Sequence, residues 1–298
     1  MVRVGPVPML SAMMSRSTSA ALATVAVLVA SLAGCAPVEQ PAPPPARNDA
    51  CVKDKLKTKT PGKLTVATDE PAYEPWFSEN LPANGKGFES AVAYEVAKQL
   101  GFARIDVQWI RVRFENAIAP GPKEFDFDIN QFSITEERQK VVDFSAPYYL
   151  VRQAVIARKD SPIAGKTRLA DLKGAKLGAQ VGTTSYQAIT DIIQPTTKPL
   201  VYNTNDDAKK ALQNGQLDGL VVDLPTAFYI TSSEIKDAVV VGQLPQVGLP
   251  EAFGLVLDKD SPLTGCVSMA VNALRDNGTL AELEKTWLAE VAGATELT

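Results

Sequence analysis

The pattern that most constrains the fold is an alternation of strand-like and helix-like segments from Lys63 to Leu288. Lys63 to Thr68 alternates like a strand, and Phe88 to Leu100 places its large apolar residues on one helical face. Strands that alternate with helices pack as layers, because each helix covers a face of the sheet. The sequence therefore predicts an α/β fold.

Two successive sets of strands can be distinguished. The first set is predicted at 63–68, 105–110 and 126–130, and the second at 154–157, 175–179, 199–202, 219–222 and 239–241. A single strand at 252–257 and two helices follow. The last helix is predicted to begin with a capping box formed by Thr279 and Glu282, and the helix from Glu136 with Thr135 as N-cap.

The N-terminal segment has the features of an export signal. Arg16 precedes an uncharged run from Ala20 to Leu32, which is short for a membrane span, and a buried helix is disfavoured because the run has no polar face. The run ends in Leu32-Ala33-Gly34-Cys35, which resembles the bacterial lipobox, whose cysteine carries the lipid. We expect a lipoprotein signal peptide at 1–34 and a proline-rich tether at 35–60.

Three cysteines are present, and lipid attachment would use Cys35. Cys51 and Cys266 would remain, and a pair of cysteines usually oxidises outside the cytoplasm. We therefore predict a disulfide between them, with two unrelated thiols as the alternative.

Composition excludes one class of function. The formal net charge is −4, and no basic block interrupts the chain, so the electrostatic footprint of a nucleic-acid-binding protein is missing. No nucleic-acid partner, cofactor or metal is expected.

Seven strings in a fixed order carry a family resemblance over nearly the whole predicted mature chain. They are GKLTVATD, AYEPWF, KGFESAVAYEVAKQLG, FDFDINQFSITEERQKVVDFSAPYY, LADLKGAKLGAQVGTTS, GQLDGLVVD and LRDNGTLAELEKTW. The order resembles that of the bacterial extracellular solute-binding proteins of family 3, the polar amino-acid family. The resemblance implies a two-lobe, type II periplasmic-binding-protein-like fold joined by two crossover strands. Lobe one would be 61–152 plus 249–298, and lobe two 153–248.

A free amino acid is a zwitterion, so its receptor needs a fixed cation for the carboxylate and a fixed anion for the ammonium. Arg138 lies in the first turn of the helix after Thr135, where a guanidinium and the helix N-terminus both favour an anion, and the family motif has its carboxylate-binding arginine here. Asp223 ends the strand 219–222, where ligands gather in open α/β sheets. The alternatives are an arginine paired with a neighbouring glutamate and an aspartate that caps a turn.

Other candidates would surround these two charges. Ser133 would donate to the ligand carboxylate, the backbone at Gln131 would accept from the ammonium, and Thr183 and Thr184 would hold the carboxylate from lobe two. The resemblance also implies that Tyr73 and Phe114 stack on the ligand.

The side chain of the ligand is left open by the sequence. Glu70 would suit a cationic ligand, and Arg113 an acidic one. Trp76 and Phe77 are assigned to the core.

The resemblance implies a monomeric, lipid-anchored substrate-binding protein on the outer face of the cell membrane, which delivers a small amino acid to the permease of an ABC transporter. A ligand-sensing ectodomain for a signalling partner is one alternative. A lyase on the same fold is another, although the chain has no histidine to act as a base. Gene deletion separates transport from signalling, and ligand turnover would reveal a lyase.

Overall fold

The structure is a computed structural model that describes residues 49–288 and 293–298. The predicted signal peptide and Cys35 lie outside the described residues. None of the helices in the described ranges combines the length and the apolar character that crossing a membrane requires.

The first sheet has five strands in the order β2-β1-β3-β12-β4. Its strands are β1 (Leu64–Thr68), β2 (Val107–Arg111), β3 (Phe127–Asp128), β4 (Asp143–Phe144) and β12 (Val256–Leu257). β1 pairs in parallel with β2 and β3, while β12 runs antiparallel to β3 and β4. Helices α1 (Phe88–Gln99), α7 (Thr264–Asp276) and α8 (Thr279–Trp287) contact one another and share one hydrophobic core with this sheet. Two one-turn helices, α2 (Phe114–Ala117) and α3 (Glu136–Gln139), precede β3 and β4.

The second sheet also has five strands, in the order β10-β6-β9-β7-β8. Its strands are β6 (Gln153–Arg158), β7 (Leu177–Gln180), β8 (Leu200–Tyr202), β9 (Gly219–Asp223) and β10 (Ala238–Gln243). Helices α4 (Thr184–Ala188), α5 (Asn205–Gln213) and α6 (Leu224–Tyr229) follow β7, β8 and β9, and two hydrophobic cores cover its two faces. β7, β8 and β9 are parallel, so their carboxyl ends meet at one edge.

Two short antiparallel strands connect the sheets. They are β5 (Tyr149–Val151) and β11 (Glu251–Phe253). The single strand predicted at 252–257 is therefore wrong, because β11 and β12 belong to different sheets. Gly254 lies at the break, where a Cβ atom would come within 2.9 Å of the Ile134 side chain.

The Cys51–Cys266 disulfide is present and joins the start of the described chain to α7 across a sequence separation of 215 residues. The predicted capping box is wrong, because Gly278 is the N-cap of α8 and the Thr279 amide donates to Asn277 Oδ1 over 3.0 Å. The φ angle of Gly278 is +81°, a conformation in which glycine is preferred.

The end of the chain differs from the predicted lobe boundaries. Leu297 is buried in the core of the second sheet, and its amide donates to the carbonyl of Gln243 on β10 over 2.9 Å. Residues 295–298 therefore lie with the second sheet, whereas the sequence analysis assigns 249–298 to lobe one.

Candidate functional site

A cavity of about 40 Å³ lies where loops from both sheets meet. Seven of the predicted site residues line it: Tyr73, Phe114, Gln131, Arg138, Thr183, Thr184 and Asp223. A cavity of this volume holds a few water molecules.

Arg138 reaches the cavity from the first sheet. Thr135 caps its one-turn helix as predicted, with its hydroxyl accepting from the Arg138 amide over 3.2 Å. One turn has little dipole, so the guanidinium itself supplies the positive charge. It donates to the carbonyls of Ser133 over 2.7 Å and Gly182 over 2.9 Å, and the second contact links the two sheets.

Burial lowers the pKa of Arg138 to about 10, although Glu251 and Asp223 favour its charged form. The side chain therefore stays protonated at neutral pH. Its guanidinium carbon lies 5.4 Å from the centre of the Phe114 ring, which in turn stacks on Phe132 at 4.7 Å. These contacts hold a fixed cation at the cavity wall.

Asp223 reaches the same cavity from the end of β9 on the second sheet. Its carboxylate accepts a hydrogen bond from Gln153 Nε2 over 2.7 Å. Burial raises the pKa of Asp223 well above its ordinary value, and the nearby carboxylate of Glu251 raises it further. A cation that entered the cavity would favour the ionised form of Asp223 and would be attracted by it.

The turn after β7 also borders the cavity. Thr183 is the N-cap of α4; its hydroxyl donates to the Gln180 carbonyl over 2.7 Å and accepts from the Tyr186 amide over 3.3 Å. Because the Thr183 hydroxyl is used in capping, Thr184 has the freer hydroxyl of the two, at 3.2 Å from Ser133 Oγ.

Two aromatic residues in the segment between β1 and α1 contact helices that follow strands of the second sheet. The Tyr73 hydroxyl accepts from the Asp206 amide over 3.3 Å. Trp76 and Phe77 are fully buried, as expected for core residues, but Trp76 Nε1 also donates to Thr226 Oγ1 over 2.9 Å. Thr226 lies on α6 and lines the cavity.

The structure does not bring Ser133 or Glu70 to the cavity wall. Ser133 is buried, and its hydroxyl donates to Glu251 Oε1 over 2.5 Å. Glu70 is exposed, and its neighbour Asp69 lines the cavity instead. Arg113 is exposed at the start of α2 and is not part of the lining.

A buried acidic group that the sequence analysis missed lies below Gln131. Glu89 on α1 accepts from the Gln131 amide over 2.7 Å, and also from the Gln131 side chain and the Tyr148 hydroxyl. Burial raises the pKa of Glu89 to about 7. These bonds hold Gln131 at a φ of +49°, which is unusual for a residue with a side chain.

Asp128 on β3 is fully buried, and neither of its carboxylate oxygens has a hydrogen-bond partner among the residues that the structure describes. Burial raises the pKa of Asp128 well above its ordinary value, and the charges of Glu89 and Asp69 raise it further. In residues 49–288 and 293–298, no cluster of three or more histidine, cysteine or acidic side chains could hold a metal ion.

Several known proteins are similar to this chain in sequence. The arginine-binding extracellular protein ArtP of Bacillus subtilis is 28% identical over 242 residues, which cover 80% of this chain and 91% of ArtP. The L-cystine-binding protein TcyJ of Escherichia coli K12 is 29% identical over 240 residues, covering 78% of this chain and 84% of TcyJ.

A solved structure has the same fold. The arginine-, lysine-, histidine-binding protein ArtJ of Geobacillus stearothermophilus is 26% identical, with a TM-score of 0.64 over 76% of this chain and 95% of ArtJ. The expected type II periplasmic-binding-protein fold is confirmed.

The family model for bacterial extracellular solute-binding proteins, family 3, matches residues 64–290. This span contains both sheets, all eight α-helices of the described residues and every lining residue of the cavity. ArtP and TcyJ are both named as amino-acid-binding proteins. The chain therefore belongs to the bacterial extracellular solute-binding proteins, family 3.

Proposed function

We propose that this protein binds a small amino acid between two lobes and delivers it to the permease of an ABC transporter. Lobe one comprises the first sheet with residues 61–152 and 249–288, and lobe two comprises 153–248 with the chain end at 295–298. One observation carries the proposal: Arg138 from lobe one and Asp223 from lobe two line the same cavity. The arginine would bind the ligand carboxylate, and the aspartate its ammonium group.

The charge of the cavity favours a cationic ligand. Asp69 and Asp223 line it, and Arg138 is the one lysine or arginine among its described lining residues. The carboxylate and ammonium groups of the ligand would pair with Arg138 and Asp223. Asp69 would then be left to pair with a positively charged ligand side chain. ArtP is an arginine-binding protein and ArtJ an arginine-, lysine-, histidine-binding protein, which supports this assignment. TcyJ, which binds cystine, shows that related proteins of similar identity differ in their ligand.

Anchoring and delivery belong to the same proposal. Lipid on Cys35 would hold the mature protein at the outer face of the membrane as a monomer, with the tether giving it reach to the permease. The lipobox-like sequence and the extracellular family support this location. Mass spectrometry of the membrane fraction should find a lipid on Cys35, and an unprocessed N-terminus would argue against it.

The alternative roles make different predictions. If the protein is only a ligand sensor, deleting its gene leaves amino-acid uptake unchanged. A lyase would consume the bound ligand during prolonged incubation, yet the chain has no histidine and Cys51 and Cys266 are joined in a disulfide.

A thermal-shift screen over the common amino acids tests the ligand class. A ligand present at 100 times its dissociation constant stabilises the folded state by about 2.7 kcal/mol, which raises the melting temperature measurably. We expect the largest shift with L-arginine or L-lysine. A flat response to every amino acid would contradict amino-acid binding, whereas a shift only with acidic ones would contradict the cationic assignment.

A further inference from the structure

Glu251 contacts both lobes at the hinge. It is on β11, one of the two strands that cross between the sheets. Its Oε1 atom accepts from Ser133 Oγ of lobe one over 2.5 Å. Both carboxylate oxygens also lie within hydrogen-bond distance of Gln153 Nε2 of lobe two, at 3.2 and 3.1 Å. One carboxylate thus joins a side chain of each lobe.

Gln153 extends these contacts to the ligand cavity. It is buried, pairs with Asp223 across β6 and β9, and its Nε2 donates to Asp223 Oδ1 over 2.7 Å. The side-chain oxygen of Gln153, Oε1, accepts from Ser185 Oγ over 2.7 Å. Asp223 and Ser185 line the cavity, whereas Glu251 and Gln153 do not. Glu251 therefore acts on the cavity only through other residues.

We propose that Glu251 is a positioning residue that latches the hinge in the closed arrangement and holds Gln153 where it orients Asp223. The part of this proposal that concerns Asp223 rests on the proposed function, while the latch between the lobes does not. In a hinge closure, a few residues at the ends of elements absorb the change in backbone angles, and here these would be residues at the ends of β5 and β11. When the lobes separate, Ser133 and Gln153 move apart, so Glu251 loses at least one of its partners.

The energetic reason is that these hydrogen bonds involve a charged acceptor. Such bonds are stronger than neutral ones, and loss of the acceptor leaves buried donors unsatisfied. Ser133 and Gln153 are both buried, so an open hinge needs water to replace Glu251 at each of them. In the closed form Ser133 and Gln153 donate their hydrogen bonds to Glu251, whereas in the open form they must donate them to water.

A double-mutant cycle on Glu251 and Ser133 tests the latch. Using calorimetric titration with L-arginine, we expect Glu251→Ala and Ser133→Ala each to weaken binding by about tenfold. The double variant should be weaker by about tenfold as well, rather than a hundredfold, because both changes remove the same contact. Glu251→Gln should weaken binding less than Glu251→Ala, since its amide oxygen can still accept from Ser133 although the negative charge is lost.

Glu282→Gln is the matched control, because it removes one negative charge from an exposed position on α8. It should bind like the unmodified protein. The proposal is overturned if Glu251→Ala binds L-arginine as tightly as before or more tightly, or if the two single effects multiply.

A second readout needs no ligand. In the ligand-free protein, each single variant should lower the melting temperature, and the double variant should melt no lower than the less stable single variant. If L-arginine fails to bind the unmodified protein, the cationic assignment fails, and this second cycle still decides the latch. Additive losses of melting temperature would overturn it.

Discussion

At the scale of single residues, Arg138 is the group whose replacement should have the largest effect on binding. The buried guanidinium is held at the cavity wall by the Ser133 and Gly182 carbonyls. Hydrogen bonds to charged groups contribute about 1.5 to 3 kcal/mol, and about 1.4 kcal/mol corresponds to a factor of ten in affinity. Arg138→Ala should therefore weaken ligand binding by about tenfold to hundredfold in calorimetry.

Arg275→Ala provides the control, because Arg275 is exposed on α7 outside the cavity lining. Circular dichroism must show that both variants are folded. Near-native affinity of a folded Arg138→Ala protein would mean that the ligand carboxylate binds elsewhere.

Glu89 should make the stability of the protein depend on pH. Its pKa is raised from 4.5 to about 7 because the carboxyl group is fully buried. Between these values the folded state keeps a proton that the unfolded chain has lost. Its contribution is fully present below pH 4.5 and is lost as the pH rises through about 7, with a total of up to about 3 kcal/mol.

Glu89→Gln removes this titration. Urea unfolding at several pH values should show that the variant gains stability relative to the unmodified protein as the pH rises from 5 to about 8. The exposed Glu282→Gln substitution should show no such trend. A constant difference between Glu89→Gln and the unmodified protein over this range would show that Glu89 does not titrate there.

The sequence could predict residues whose position follows from a local pattern. Thr135 and Arg138 share one turn, and Asp223 ends an apolar strand, so short segments suffice to place both charges. Glu251 and Asp69 could not be predicted in this way, because their neighbours come from distant parts of the chain. The sequence predicts a ligand contact for Ser133 for the same reason: nothing near it in sequence indicates that its hydroxyl donates a hydrogen bond to Glu251, 118 residues later.

At the scale of elements, most strands and the main helices could be predicted because their apolar periodicity is strong. The second sheet contains a strand at each of the five predicted sites. The sequence predicts one strand at 252–257 because apolar residues continue on both sides of Gly254, although the chain changes sheets there. It places the end of the chain in lobe one, because the burial of Leu297 in the core of the second sheet is a contact between distant segments, which a local pattern does not reveal.

The disulfide joins the segment around Cys51, at the start of the described chain, to Cys266 on α7. In the chain-entropy model, a closed loop of this length contributes about 5 kcal/mol, although measured values are commonly lower. We expect Cys51→Ser with Cys266→Ser to lower the free energy of unfolding by several kcal/mol, as measured by urea denaturation. Reduction of the unmodified protein should have the same effect.

Ligand binding should change little in the double serine variant. Cys266 packs against the core of the first sheet, Cys51 is bonded to Cys266, and neither lines the cavity. A large loss of affinity in a variant that remains folded would show that the disulfide also supports the site. Labelling of both thiols in the oxidised, folded protein would contradict the disulfide itself.

At the scale of the whole molecule, the two lobes meet through several direct hydrogen bonds besides the crossover strands. They join Arg138 to Gly182, Trp76 to Thr226 and Asp206 to Tyr73. Each needs both lobes in the closed arrangement, so each contributes to the balance between open and closed forms. A ligand that binds the closed form better shifts this balance further.

The bond between Trp76 and Thr226 allows the cleanest test of that balance. Both residues are buried, and the indole N–H has lost its access to water in the closed form. Thr226→Val keeps the shape of the side chain but removes the acceptor, which costs about 1 to 3 kcal/mol when a buried donor is left unsatisfied. Because the open form lets water reach the indole, this cost falls mainly on the closed form.

We expect ligand binding to weaken by about fivefold or more, and small-angle scattering to show less compaction at equal ligand saturation. Thr226→Ser keeps the hydroxyl and should behave like the unmodified protein. Equal affinity and compaction in the Val and Ser variants would mean that this contact does not hold the lobes closed.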